Sequence, residues 1–436
     1  MFTEDSELPI HGIDVKKSGR TPCFPHVRVS KDGSKTTPLN TAENLQALLN
    51  GYGYSIKLNK MNLEMEFHRN GMALSDSFES IRSQLISWAS VSGLPRECIM
   101  DHVYAISEKN SFHPVRYWLE EGRWDGVSRV EQVIDCLNAK DRATAQLVLQ
   151  HWLIGCIASL YAVPFSSKLV PILVGLQDDM KTTAIKRIFN VFDGALLDGF
   201  DLNPDNKDSV LSVIKSWIVE LGELERTTKN SQSSLKAFIT RASDTIRPPY
   251  ARTDIRKPRQ TNLIGTVNGS GFLKDQTGNS RYASIDLAGI VDIERLNSLL
   301  GWHYQNGHIE RMQPHLLKQF WLEVKEWYDQ GRSWNLSREH VAQLAEKNDQ
   351  HTDKGRWYDY LLEKHLSLDD QECIKKFVPA SFIAQSDNDI DKRETRQIGQ
   401  ALGRLAREGK IRFEDRRSNV RFYELKFPIS SDSNYD

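Results

Sequence analysis

The chain has 436 residues, with 57 Lys and Arg against 58 Asp and Glu and a formal net charge of -1. That length predicts about two to four domains. A hydrophobic content of 39% with 9% aromatics supplies packed cores and excludes a largely disordered chain. A mean hydropathy of -0.50, with no apolar run near the ~18 residues of a membrane span, argues against a membrane protein. The acidic start, Met1 to Glu7, has no secretory apolar region. Cys23, Cys98, Cys136, Cys156 and Cys373 are odd in number and far apart. They fit neither a disulfide framework nor a zinc site, and they suit a reducing cytoplasm.

Residues 1–38, rich in Gly, Pro, Ser, Lys and Thr, read as a flexible lead-in. Asn40 or Thr41 then caps a helix through Leu45, Leu48 and Leu49. Tyr54–Leu58 alternates as a strand, and Ser77–Trp88 repeats the helical pattern with Phe78, Ile81, Leu85 and Ile86. Residues 1–110 therefore form a small α+β or helical accessory unit. After His113-Pro114 and Trp124-Asp125-Gly126, a helix runs through Val130, Val133, Ile134 and Leu137. A second, over Ala143–Val163, is apolar enough to be buried on most faces.

The centre alternates strands and helices: strand Lys168–Val174, helix Thr182–Phe192, strand Ser216–Leu221, helix Leu235–Ala242, strand Asn262–Asn268. This pattern predicts an α/β fold with a mainly parallel sheet covered by helices, over residues 111–310. The tail, 311–436, reads as helical. It ends in a helix over Glu394–Glu408, a stop at Gly409 and a hairpin over Ile411–Leu425, like the second half of a winged helix.

Gly175, Lys181, Thr182 and Thr183 lie between a strand and a helix at the spacing of a P-loop, whose backbone N–H groups and Lys hold nucleotide phosphates while its hydroxyl binds magnesium. Met180 stands where the second glycine belongs, and Asp178 and Asp179 put negative charge beside the phosphates. The strand Trp217–Glu223 ends in Glu220 and Glu223, which can divide the roles of metal ligand and water-polarising base in either order. Asn268 ends the third strand, where an amide can orient an attacking water, and Arg281 follows at a place where a neighbouring subunit's phosphate could be reached.

These residues, in this order, resemble the virulence-associated protein E family of phage and mobile-element ATPases, similar to superfamily 3 helicases of the AAA+ class. The resemblance covers about His113 to Asp286. It rests on His113-Pro114 with Trp124-Asp125-Gly126 and Arg129, Trp217–Leu224, Arg247-Pro-Pro-Tyr250 with Arg252, Pro258-Arg259, Gly265-Thr266 with Asn268, and Thr277–Arg281. It implies ATP and Mg2+ as cofactors, held by Lys181, Thr182 and Glu220. It also implies Glu220 and Glu223 as Walker B acids, Asn268 as sensor, Arg281 as an arginine finger, and a hexameric ring. Relatives carry a loop of the type Gly-x-Gln-Gly-x-Gly-Lys-Ser, in which Asp178 and Met180 here replace two glycines. The upstream residues show no acid constellation for a primase, so primase activity is not expected.

Overall neutrality argues against a nucleic-acid partner, but the distribution of charge argues for one. Lys236, Arg241, Arg247, Arg252, Arg256, Lys257 and Arg259 face only Asp244 and Asp254, a local +5. Arg247, Arg252, Lys257 and Arg259 thus become candidate DNA contacts, with pairing to acids as the competing use. From Lys392 to Arg421 ten basic residues face four acids, a local +6. His113 is expected to be a structural hydrogen-bonding residue. The expected function is a DNA-dependent, ring-forming ATPase in replication of a phage, prophage or other mobile element. The alternative is a catalytically weakened AAA+ scaffold that binds DNA or assembles partners.

Overall fold

The computed structural model describes residues 22–222, 224, 229–247, 254–269, 272–273, 281–352, 354–370, 372–386, 391–416 and 420–428. Glu223 and Arg252, two of the expected site residues, lie outside them, as do residues 1–21 of the expected lead-in.

The first unit is α+β. Thr41 caps the helix Ala42–Gly51, its hydroxyl accepting from the Asn44 N–H at 3.3 Å, and Ser77 caps Phe78–Val91 in the same way. An antiparallel sheet of Tyr54–Leu58, Met65–Arg69 and Met72–Ala73 packs with these helices and with Glu97–Lys109 around Leu45, Leu48, Ile56, Phe67, Leu85 and Ile99.

The central sheet has five parallel strands: β1 (Val170–Gly175), β2 (Leu196–Phe200), β3 (Ile218–Leu221), β4 (Asn262–Asn268) and β5 (Tyr282–Asp286), in the spatial order β5-β1-β4-β3-β2. The inner strands are apolar almost throughout because both faces are covered. Leu173, Ile218, Ile264 and Ile285 enter one core, and Ile172, Val174, Val219 and Val267 enter the other. Helix α1 (Arg142–Tyr161) crosses the first core. Among the described residues it is long and apolar enough to cross a bilayer, which corrects the expectation that no segment approaches that length. Twelve of its residues are buried, among them Val148, Trp152 and Ile157, and it is the central helix of a packed core.

After α2 (Lys181–Phe189), the helices α3 (Pro314–Asp329) and α4 (Arg338–Asp349) also belong to this core, through Leu317, Phe320, Trp321, Trp327 and Leu344. The Asn348 side chain accepts from the Ser284 hydroxyl at 2.7 Å and donates to the Tyr282 carbonyl, fastening α4 to edge strand β5. The expected boundary near 310 therefore falls some forty residues later in the chain, before a separate core built on Trp357, Tyr358 and Leu361.

The Trp124-Asp125-Gly126 segment with Arg129 is a staple. Arg129 makes a two-pronged ion pair with Asp125, each contact 2.8 Å, across a turn where Gly126 has φ +82°. Glu323 of α3, 1% exposed, accepts from the Ser128 hydroxyl and the N–H groups of Arg129 and Val130 at 2.6–3.0 Å. One buried carboxylate thus satisfies the start of the helix Val130–Asp135.

The last unit runs helix Arg356–Leu361, strand Cys373–Pro379, helices Ala380–Ser386 and Thr395–Arg407, then strands Phe413–Arg416 and Val420–Pro428, with the last strand central in the sheet. Gly409, at φ +72°, ends the long helix as its sequence position predicts. Glu408 is the hub of this unit. It is held by Lys354, Arg404, Lys410 and the Tyr358 hydroxyl. Burial pushes its carboxyl up, but the hydrogen bonds from Tyr358, Lys354 and Arg404 prevail and hold it at about 2.

Two measurements check these anchors. Glu323→Ala should lower stability in urea unfolding by about 2–4 kcal/mol, because it strands buried N–H groups. The Glu408 carboxyl is lowered in the fold, so its contribution is complete above its ordinary value of 4.5. That contribution is lost as pH falls toward about 2. Glu408→Gln should therefore flatten the loss of thermal stability measured over that window.

Candidate active site

Strand β1 ends at Gly175, and α2 begins at Lys181 after a five-residue loop. Within the loop Asp178 has φ +68°, and Met180 has φ +62° and ψ +22°. These are the two positions at which the resemblance calls for glycine. The chain takes these left-handed turns without glycine, at roughly 1–2 kcal/mol for Met180 and less for Asp178, whose short polar side chain tolerates the conformation. The resulting loop ends on the N-terminus of α2, where the helix dipole favours an anion.

Lys181, 6% exposed, donates from Nζ to the Leu176 carbonyl and to Asn268 Oδ1 at 3.0 Å. Thr182 donates its hydroxyl to Glu220 Oε1 at 2.6 Å. Glu220 has no exposed surface, and its carboxylate also accepts from the Thr266 hydroxyl at 2.9 Å and from the Gly199 N–H at 3.3 Å. Three donors make a buried carboxylate tolerable in this position. Thr183 continues the first turn of α2, half-buried. The interposition of β4 between β1 and β3 is what places Asn268 beside Lys181 and Thr266 beside Glu220.

Gly175, Lys181, Thr182, Glu220 and Asn268 thus come together as the spacing predicts. Of the two acids whose roles were left open, Glu220 meets the Thr182 hydroxyl, and Glu223 lies outside the described residues. Thr266 was not expected among the site residues. Its signal was the strand period of two, which sets Thr266 and Asn268 on the same face of β4. Arg281 precedes β5 and stands at the amino end of the sheet, because Tyr282 is in register with Val170. It does not join the group at the carboxyl ends.

The candidate DNA contacts divide. Between β3 and β4 an antiparallel hairpin pairs Ser243–Ile246 with Ile255–Pro258. Arg247, at the edge of its tip, is exposed, and so is Arg256, which donates to Ser243 Oγ. Lys257 and Arg259 are each 6% exposed and cannot grip a strand of DNA. Arg259 forms a two-pronged pair with buried Asp244 at 2.9 and 3.0 Å and lies over the Phe238 ring. Lys257 donates to the carbonyls of Met61 and Ile214, tying the hairpin root to the first unit and to the end of the helix Lys207–Ile214. Burial lowers its ammonium group to about 7, against the opposing pull of Asp244. His113 nearby is also buried. Neither ring nitrogen has a hydrogen-bond partner among the described residues, which corrects its expected role, and burial with the charges of Lys257 and Arg116 lowers it to about 3.

A family model of the virulence-associated protein E-like domain matches residues 119–353. Among solved structures, an apo structure of the NrS-1 C-terminal region (305–718) is 11% identical, with a TM-score of 0.44, covering 87% of this chain and 97% of that one. A second, the A-form apo structure of that region, is 12% identical with a TM-score of 0.45, covering 87% and 98%. No curated protein matches the chain.

The Lys257 assignment predicts a pH dependence. The folded amine releases its proton at about 7 and the unfolded one near 10.5, so stability rises with pH between those values. Urea titrations from pH 7 to 10 should show this rise in wild type and a flatter profile in Lys257→Met.

Proposed function

The chain belongs to the virulence-associated protein E-like family, and from that premise we propose that it is an ATP-driven, DNA-dependent motor of superfamily 3 helicase type. In this reading an AAA+ P-loop core assembles as a ring, a hexamer, and acts in replication of a phage, prophage or other mobile element. The observation that carries the reading is the convergence of Lys181, Thr182, Glu220, Thr266 and Asn268 at the carboxyl ends of adjacent parallel strands. That end of an open α/β sheet is where such folds bind ligands.

The donor set fits a magnesium nucleotide. Lys181 would hold the β- and γ-phosphates, and the loop N–H groups would surround them. Thr182 and Glu220, already sharing a hydrogen bond, would hold Mg2+ between hydroxyl and carboxylate. The chemistry supplied by a magnesium ion there is charge neutralisation across the phosphates. Asn268 would orient the attacking water, and Glu223 would polarise it. Arg281, standing at the opposite end of the sheet from its own loop, suits action on a neighbouring subunit's nucleotide.

DNA would be met at the hairpin by exposed Arg247 and Arg256, with Arg252, outside the described residues, as a further candidate contact. The C-terminal unit has the element order of a winged helix. Arg393, Arg396, Gln397, Gln400 and Arg407 are exposed on or just before its long helix, with Arg412 and Arg421 exposed along the hairpin. A second reading, a weakened ATPase acting as a DNA-binding or assembly scaffold, is favoured by the strained Asp178 and Met180.

Lys181→Ala and Glu220→Gln should each abolish DNA-stimulated ATP hydrolysis while circular dichroism stays that of wild type. A wild-type protein that neither binds nor hydrolyses ATP would overturn the motor and leave the scaffold. Arg396→Ala combined with Arg407→Ala should reduce the salt slope of DNA binding by about 2, one for each phosphate that is no longer neutralised.

A further inference from the structure

The P-loop contains a carboxylate that the nucleotide reading leaves without a task. Asp179 lies between the two left-handed residues, and its side chain turns inward to 6% exposure. Its Oδ2 accepts from the Leu176 N–H at 2.6 Å, across the mouth of the loop. The Leu176 carbonyl is taken by Lys181, so Leu176 is held on both sides of its backbone. The Asp179 carbonyl accepts from the Val291 N–H at 3.2 Å, fixing the loop to the segment after β5. The carboxylate also sits against the first glycine: a Cβ on Gly175 would lie 2.5 Å from Oδ2.

We propose that Asp179 is the positioning residue of this loop, its carboxylate clamping Leu176 so that Asp178 and Met180 keep the left-handed turns that glycines would adopt unaided. Conformations that residues with a Cβ disfavour persist only where the surroundings over-determine them. The clamp supplies that constraint from inside the loop. Gly175 is needed for a different reason from a left-handed turn: it alone leaves room for the clamping oxygen. The proposal rests on the reading of this site as a nucleotide site, and it adds what shapes the loop when two glycines are missing.

The test is a mutant cycle on the full chain, with Asp179→Ala, the pair Asp178→Gly with Met180→Gly, and all three together. The readouts are Mg-ATP affinity by calorimetry and Tm without nucleotide. Asp179→Ala should weaken Mg-ATP binding at least tenfold in the wild-type background and less than threefold in the glycine background. Asp179→Asn, which keeps an acceptor, should recover most of the loss, and Gly175→Ala should reproduce it. The Tm should show the same pattern, a drop in the wild-type background that shrinks in the glycine background. Equal losses in both backgrounds, or none in wild type, would overturn the proposal, because a clamp is dispensable once its strained turns are relieved. If the wild type binds no Mg-ATP, the nucleotide reading falls, and the Tm cycle alone then decides whether Asp179 clamps the loop.

Discussion

The buried carboxylate of Glu220 ties the centre of this molecule together. It sits on β3 with no exposed surface, yet receives hydrogen bonds from α2 through Thr182, from β4 through Thr266 and from β2 through Gly199. A buried anion with fewer donors would be costly. The three elements around it are therefore held in one arrangement, and Lys181 and Asn268 follow because they stand on the same helix and strand. The cluster at the carboxyl ends of the strands is in this sense a packing solution for one acid.

The same economy runs through the rest of the chain. Glu323 caps the helix after the Trp124-Asp125-Gly126 turn, Asp244 neutralises Arg259 beneath the hairpin, and Glu408 collects three cations in the last unit. The residues that carry the family resemblance accordingly divide in two. Asp125, Arg129 and Arg259 hold the framework, whereas Lys181, Glu220 and Asn268 come together at the carboxyl ends of the parallel strands. The basic segments divide likewise. Lys257, Arg259 and Arg404 are turned inward, and Arg247, Arg256, Arg396 and Arg407 remain on the surface. A charge count along the sequence cannot make that division, because it depends on which acids the fold brings within reach.

Much of the architecture was legible in advance. The strands ending at Gly175, Leu221 and Asn268, and the apolar helix around Trp152, are marked by continuous hydrophobic runs that only a doubly covered sheet or a central helix can use. The edge strands β2 and β5 were not. Leu196–Phe200 mixes apolar residues with Asp198 and Gly199, and Tyr282–Asp286 is broken by Ser284 and Asp286, so neither stands out from a loop. The long helices α3 and α4 lie in a tail that reads as helical, but their place in the central core was hidden, since the partners of Trp321 and Asn348 lie far away in sequence.

Local periodicity and residue types a few positions apart were enough to establish the α/β class, the P-loop spacing, the acid and amide that follow it and the basic character of two segments. Other outcomes had to wait for the folded chain: Thr266 shares the Glu220 carboxylate, Lys257 and Arg259 are structural, and Asp178 and Met180 adopt the turns of the glycines they replace. Each depends on a contact between elements that the fold brings together or on a backbone angle held by a neighbour such as Asp179, and neither is written in the order of the residues.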